Sequence, residues 1–353
     1  MNINDFEVPE QRGYNGGSWE NFTLGDEKRA KRRFSRFFLA LSAYTLISYV
    51  IISAVFLIIE LMGLSENAFF ASNEFTVLMN VVAMYLIAFP VFYLCTREMR
   101  NATRYKTKVN IKEFAMLFFV SYTLMQAGSL IGTFVTDLVS GLTGKEVIDD
   151  TAALIEQIPM WLTVIVPVVI GPIVEELMFR KFLMDKLGTY GDRTAIVVSA
   201  VAFGLFHGNL SQLFYAVLIG FVLGYIYAKT ANVIYPIIMH MLLNFFGSIV
   251  PLLFLDSLEA YIKMSEEIAA GATVDMELFA KVGTISAIYS FITFTIIGLG
   301  IFIIFKFKNR FFLSDRCEIE IPRAKRASVI LLNAGAIVFM ILSLAIIVLD
   351  IIF

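Results

Sequence analysis

The segment 160–187 has the sequence MWLTVIVPVVIGPIVEELMFRKFLMDKL. Its first part carries no charge, and such an apolar run is typical of a helix that crosses the roughly 30 Å hydrocarbon core of a bilayer. Two adjacent carboxylates, Glu175 and Glu176, and then Arg180 interrupt the run. Charged groups inside a membrane are costly and mark functional sites by default. The segment therefore predicts a membrane helix that carries a polar site.

The rest of the chain has the same apolar character. Of its 353 residues, 58% are hydrophobic and 16% are charged, against about 25% charged in soluble domains. Apolar windows predict nine membrane helices, at 37–61, 75–95, 112–134, 160–187, 193–208, 211–228, 232–250, 284–306 and 328–352. We therefore expect an all-α polytopic membrane bundle with the lipid bilayer as its surroundings. The formal net charge of -2 gives no electrostatic support for a nucleic-acid partner.

The distribution of charge predicts how the chain is oriented. Lysines and arginines cluster before the first predicted span and after the second, which places both segments in the cytoplasm. The segment 251–283 is rich in Asp and Glu, so we expect it outside. Nine crossings then give a cell-membrane protein with a cytoplasmic amino terminus and an extracytoplasmic carboxyl terminus. The polar head of the chain predicts no cleavable signal peptide.

The charged residues of the fourth predicted span differ in their expected partners. Glu176 and Arg180 are four residues apart on one helical face and are expected to form an ion pair. Glu175 points about 100° away and lacks that partner. A carboxylate left without a partner in a low-dielectric cavity is suited to act as a general base.

The chain has only two histidines, and both fall in predicted spans. His207 ends the fifth, whereas His240 lies in the seventh and shares a helical face with Asn244. A carboxylate, two imidazoles and an amide are the groups that activate water and stabilise an oxyanion. Each has a structural interpretation as well, because an intramembrane histidine is often an interhelical hydrogen-bond partner. Their concentration between residues 175 and 244 favours a site.

One difficulty concerns depth in the membrane. The predicted boundaries put His207 at the outer end of its span and Glu175 nearer the cytoplasm. The two meet only if the fifth helix starts later, or is tilted and re-entrant.

Two glycine pairs, Gly128 with Gly132 and Gly220 with Gly224, have the GxxxG spacing that indicates close helix packing.

Together these motifs resemble a known family. Glu175-Glu176-x3-Arg180, Phe203-x3-His207 and His240-x3-Asn244 occur in the order found in the CPBP, or Abi, family of intramembrane proteases. That family includes type II CAAX prenyl endopeptidases and bacterial proteins of bacteriocin processing or immunity. The likeness covers about residues 155–250. It implies a catalytic core at 155–250. Together with the predicted spans and the distribution of charge, the expected order is a cytoplasmic segment 1–36, membrane helices 37–134, the catalytic core 155–250, an extracytoplasmic loop 251–283 and membrane helices 284–353.

The resemblance also implies a role for each motif residue. Glu175 with His207 would activate the attacking water, and His240 with Asn244 would bind or polarise the scissile carbonyl. Arg180 would hold Glu176, which supports the site. The resemblance further implies a metalloprotease, with Zn2+ held by Glu175, His207 and His240, although a mechanism through glutamate without metal stays open.

The implied function is an intramembrane endopeptidase that hydrolyses a peptide bond in a membrane-associated peptide or protein substrate, in the membrane of a bacterium. Two alternatives stay open. One is a non-proteolytic immunity or scaffold protein of the same family that binds its partner through the same cavity. The other is a proton-coupled transporter in which Glu175 and the histidines form a proton relay.

Overall fold

The computed structural model describes residues 22–104, 107–145, 147, 149–307 and 317–352. These residues form helices and no strand, so the predicted all-α class is confirmed. The helices are α1 Leu24–Leu61, α2 Asn73–Thr96, α3 Ile111–Thr143, α4 Asp150–Gln157, α5 Met160–Tyr190, α6 Asp192–Phe206, α7 Leu210–Thr230, α8 Ile234–Ala269, α9 Met276–Phe307, α10 Arg323–Ile330 and α11 Ala334–Ile352.

The number of full-length spans differs from the prediction. Within the described ranges, eight helices are long and apolar enough to cross a membrane, namely α1, α2, α3, α5, α7, α8, α9 and α11. The expected span 193–208 is α6, which has 15 residues. A helix of that length is about 22 Å long, shorter than the roughly 30 Å core of a bilayer. The prediction of a ninth full span was therefore wrong, and the orientation of the termini stays a prediction.

Several helices extend beyond their apolar windows. The first begins at Leu24 instead of residue 37, because Thr23 and Asp26 form a capping box. The expected loop 251–283 is mostly helical: α8 continues to Ala269 and α9 starts at Met276. Hydropathy marks the apolar part of a helix only, whereas Glu, Lys, Met and Ala favour helix in water as well. Parts of the expected segments 1–36 and 284–353, namely 1–21, 308–316 and 353, lie outside the described residues.

The third helix packs against the seventh through backbone. A methyl group at Gly128 would lie 2.4 Å from the Cα of Tyr215, and one at Gly132 would lie 2.5 Å from the carbonyl oxygen of Ser211. On another face of α7, Gly220 lies against Ala200 of α6, where a methyl group would be 3.0 Å from Cα. The predicted close packing at both glycine pairs is confirmed, and α7 lies between α3 and α6.

A buried cluster of charges fixes the ends of the core helices. Arg104 lies on the segment after α2, 3.0 Å from Asp185 of α5 and 2.8 Å from Asp192 of α6. Tyr227 of α7 donates its hydroxyl hydrogen to Asp185 over 2.7 Å. One arginine thus holds the ends of three helices together, and we call this end of the bundle the Arg104 end.

The packing of α3 on α7 can be tested with two glycines of α3. Gly128→Ala should lower the thermal stability of the detergent-purified protein, because the added methyl group overlaps the backbone of Tyr215. Overpacking of this kind costs about 1–3 kcal/mol. Gly141→Ala is the matched control, since nothing lies within 4 Å of its added methyl group, and it should leave the melting temperature unchanged or raise it. Equal effects of the two substitutions would contradict the backbone contact.

Candidate active site

The two glutamates lie on α5 between two turns of unusual width. Val164–Ile170 and Leu177–Met184 are π-helical, and the residues between them, Gly171–Glu176, are α-helical. Such π turns are rare and are frequent at functional sites. Glu175 is halfway along Met160–Tyr190, not nearer the cytoplasmic end as the predicted boundaries suggested.

Asn244 of α8 compensates for a missing hydrogen bond in the first wide turn. There the N–H of Gly171 donates five residues back, to the carbonyl of Val166. In that register the carbonyl of Pro167 would accept from residue 172, which is a proline and has no N–H. The side-chain amide of Asn244 donates to this carbonyl over 2.7 Å. The residue predicted to polarise the substrate therefore also has a structural partner.

The predicted ion pair is present and fully buried. Arg180 Nε lies 2.9 Å from Glu176 Oε2, and both side chains are 0% exposed. Arg180 Nη1 also donates to Ser199 Oγ of α6 over 3.2 Å. The Ser199 hydroxyl in turn donates to the carbonyl of Phe179 over 3.1 Å. The pair is thus held by groups from two helices.

The ring of His240 lies between the two glutamates. Its Nδ1 is 3.0 Å from Glu176 Oε1, and its Nε2 is 3.8 Å from Glu175 Oε2. Because an ionised carboxylate only accepts, the hydrogen of this shorter contact belongs to Nδ1 of the imidazole. Glu175 is the accessible member of the group, with 20% of its side chain exposed against 3% for His240. Of the two carboxylates, Glu175 is therefore the accessible one, since Glu176 has no exposed side-chain surface.

His207 has its orientation fixed by its own helix. Its Nδ1 lies 2.7 Å from the carbonyl oxygen of Phe203, so Nδ1 donates and the neutral ring carries its lone pair on Nε2. The ring of Phe203 is perpendicular to both imidazoles, with centroids 4.7 Å from His207 and 5.6 Å from His240. The same ring lies 4.8 Å from Cζ of Arg180. Phe203 is thus the shared packing partner of three motif side chains.

The short length of α6 resolves the expected mismatch in depth. Tyr190 and Asp192 adjoin at the Arg104 end. Glu175 lies 15 residues before Tyr190, and His207 lies 15 residues after Asp192. At about 1.5 Å per residue, each is about 22 Å from that end. The two side chains therefore share one level of the bundle, and His207 interacts electrostatically with both Glu175 and His240.

The residues predicted from sequence thus converge, but with different partners. The expected association of Glu175 with His207 is electrostatic, and the closer contact of Glu175 is to His240. The expected zinc ligands Glu175, His207 and His240 do not fit one ion: within the described ranges, no group of three His, Cys, Asp or Glu side chains is placed to hold a metal. The roles of these residues and the need for zinc stay predictions.

Three tyrosines near Glu175 were missed by the sequence analysis. Tyr44 of α1, Tyr85 of α2 and Tyr215 of α7 all interact electrostatically with its carboxylate. A methyl group at Gly171 would lie 3.4 Å from the Tyr85 hydroxyl oxygen and 3.8 Å from Glu175 Oε1, so these two groups flank the same point. No sequence spacing marks them, because they come from helices that meet only in the folded bundle.

Comparisons with known proteins find a family model and related membrane proteins. A family model described as type II CAAX prenyl endopeptidase Rce1-like matches residues 157–246. The chain is 26% identical over 193 residues to the membrane peptidase YdiL of Bacillus subtilis, which covers 53% of this chain and 75% of YdiL. It is 29% identical over 189 residues to the membrane-embedded CAAX protease MroQ of Staphylococcus aureus, which covers 49% of this chain and 73% of MroQ.

The family model and these two relatives support the resemblance to the CPBP family. A third relative, the UPF0177 protein YxdF of Lactococcus lactis, is 24% identical over 47% of this chain and 89% of its own length. No solved structure matches the chain. At the level of the family, these similarities support a membrane protease activity. The range that the family model matches contains all three motifs.

The structural role of Asn244 can be separated from a catalytic one. Asn244→Ala should lower the thermal stability, because the Pro167 carbonyl loses its donor, at a cost of about 1–3 kcal/mol. Pro172→Ala restores an N–H that can donate to that carbonyl, so the double variant should regain stability. If Asn244 also contacts the substrate, the double variant should stay inactive. A double variant as unstable as Asn244→Ala would contradict the assigned role of Pro172.

Proposed function

We propose that the protein is an intramembrane endopeptidase in which Glu175 activates the attacking water. The observation that carries this proposal is the position of His240 between the two glutamates, at 3.0 Å from Glu176 and 3.8 Å from Glu175. Glu176 and Arg180 neutralise each other in the buried interior. The charge of Glu175 is left to act on a water molecule or a substrate in the cavity.

The reaction begins with the addition of water to the scissile carbonyl. Glu175 takes one proton from the water while the water oxygen bonds to the carbonyl carbon. The lone pair of His207 Nε2 is the second acceptor for this water, because its Nδ1 hydrogen is committed to Phe203. The carbonyl oxygen becomes an oxyanion. The amide of Asn244 has a second N–H beyond the one that binds Pro167, and it donates to this oxyanion.

The second step breaks the carbon–nitrogen bond. The proton that Glu175 received passes to the leaving nitrogen, and the products are a carboxylic acid and an amine. The His240 ring lies against Glu175 during this step, with Glu176 as the acceptor for its Nδ1 hydrogen. No step requires a metal. The zinc requirement, the metalloprotease class and a part in bacteriocin processing or immunity stay predictions of the family resemblance.

The proposal is tested by Glu175→Gln. The amide preserves the shape of the side chain and cannot accept the proton, so cleavage of a membrane-peptide library by the proteoliposome-reconstituted protein should fall by about 10²- to 10⁴-fold. Glu60→Gln is the matched control, because Glu60 lies exposed on α1, and it should keep full activity. Unchanged hydrolysis by a folded Glu175→Gln protein would contradict the proposal.

The same preparation distinguishes the alternatives. A scaffold or immunity protein that acts by binding keeps its phenotype in cells when Glu175→Gln abolishes proton transfer. A transporter shows proton-coupled flux across the liposome membrane and no new amino termini in the library. Detection of flux without cleavage would contradict the endopeptidase assignment.

Tyr85 offers a second test of the water site. If its hydroxyl hydrogen-bonds to the water or the carboxylate of Glu175, Tyr85→Phe should lower kcat by about tenfold or more, the value expected for one hydrogen bond to a charged group. Its control on the same helix is Tyr93→Phe, since the side chain of Tyr93 is 43% exposed and should be dispensable. A change in KM alone would instead place Tyr85 in substrate binding.

A further inference from the structure

The other face of α6 borders an apolar groove that the proposed peptidase reaction does not use. The groove has a volume of about 460 Å³ and is lined by residues of α1, α6, α10 and α11. We call it the α6–α11 groove. Its wall is apolar along most of its length, with Val197, Val201, Leu205 and Phe339 among the lining residues. Two arginines, Arg193 and Arg326, also line it.

Both arginines lie at one end of the groove. Arg193 is at the start of α6, next to Asp192 and therefore at the Arg104 end. The segment before α10 is fixed to the same end, because the backbone N–H of Ile319 donates to the carbonyl of Thr189 over 2.9 Å. Arg326 follows on the first turn of α10. Its Nε donates to the carbonyl of Ile321 over 3.0 Å. Its Nη2 lies 3.5 Å from Glu320 Oε1 in an exposed ion pair, so a bound phosphate would share this guanidinium with Glu320.

The opposite end of the groove is apolar. Helices α6 and α11 run in the same direction, since Gly208 just after α6 lies against Ile346 of α11. From Arg193 to Leu205 the groove follows twelve residues of α6, which is about 18 Å. One leaflet of a bilayer core of roughly 30 Å is about 15 Å thick. The groove therefore has the length of one acyl chain that starts at the charged mouth.

We propose that the α6–α11 groove binds one anionic phospholipid from the leaflet at the Arg104 end. One acyl chain lies along the apolar wall, and the phosphate lies between Arg193 and Arg326. Guanidinium groups bind phosphate through paired hydrogen bonds. An anionic lipid fits this mouth better than a zwitterionic one, because the headgroup of the latter brings a cation toward two arginines.

The lipid would lie directly behind the candidate active site. Val197, Val201 and Leu205 face the groove, whereas Ser199 and Phe203 of the same helix contact Arg180. A bound acyl chain therefore supports the helix that positions the site. The lipid site itself is independent of the proposed reaction.

The first experiment measures lipid binding to the detergent-purified full chain by native mass spectrometry. Palmitoyl-oleoyl phosphatidylglycerol is the anionic probe and the matching phosphatidylcholine is the zwitterionic one. The wild type should retain one phosphatidylglycerol and bind it about tenfold more tightly than phosphatidylcholine. Arg193→Gln and Arg326→Gln should each weaken binding about tenfold, the effect of one lost charged hydrogen bond. Equal binding of both lipids would overturn the proposal.

Arg323→Gln is the control for charge, because Arg323 lies exposed on α10 and does not line the groove. It should retain phosphatidylglycerol. If Arg323→Gln loses the lipid as fully as Arg326→Gln does, the lipid is attracted by the general positive charge of this end of the protein. The assigned site would then be wrong. If the protein bound inorganic phosphate as tightly as phosphatidylglycerol, the arginines would form an anion site that needs no lipid tail. That result would also overturn the proposal.

The second experiment fills the groove from its apolar wall. Val201→Trp puts an indole into the space assigned to the acyl chain and should abolish retention of phosphatidylglycerol while the arginines stay in place. Val338→Trp is the matched control, since Val338 is similarly exposed on α11, 45% against 42% for Val201, and lies outside the groove. Retention of the lipid by folded Val201→Trp would place the acyl chain elsewhere. This variant tests the site even if Arg193→Gln fails to fold.

Discussion

The burial of the Glu176–Arg180 ion pair is the constraint on which the core depends. Neither side chain has any exposed surface, and charges taken out of water are tolerated only when their hydrogen-bonding groups find partners. The partners come from other helices: His240 of α8 binds Glu176, and Ser199 of α6 binds Arg180. Arg180 Nη2 has no hydrogen-bond acceptor within the described part of the chain, and the face of Phe203 beside the guanidinium supplies a weaker attraction. Docking of α6 and α8 on α5 therefore stabilises the ion pair and assembles the site together.

The short helix α6 has a geometric function in this arrangement. A full-length span would carry its last residue past the middle of the bundle. Ending at Phe206, α6 brings His207 to the level of Glu175, and Gly208 then adopts φ +67°, a conformation that glycine takes readily. The tight turn allows α7 to return against α6 through Gly220. The length of α6 and the sequence of the turn are thus both parts of the site.

The sequence predicted the apolar helices and the polar residues of the site, and it did so for physical reasons. Charged groups in a membrane are rare, so Glu175, Glu176 and Arg180 stand out without any structure. Spacing of four residues on one helix predicted the ion pair correctly. Contacts between helices were beyond such reasoning. The position of His240 between the glutamates depends on how α8 docks, and the tyrosines of α1, α2 and α7 gather around Glu175 only in the bundle. Hydropathy also mistook α6 for a full span, because it measures the apolar character of a segment without fixing where the helix ends.

The count of charges explains why Glu175 differs from its neighbour. Two carboxylates compete for one guanidinium, and Arg180 pairs with Glu176, whereas Glu175 faces His240 Nε2, at 3.8 Å. The distance is too long for a direct hydrogen bond, so His240 does not hold Glu175 as it holds Glu176. Glu176 is fixed by two strong partners and is inaccessible. Among the described residues, Glu175 has no such partner and 20% of its side chain is exposed, so its oxygens stay accessible to water. An adjacent pair of identical residues therefore divides into a buried, paired member and an accessible member through the partners that the fold supplies.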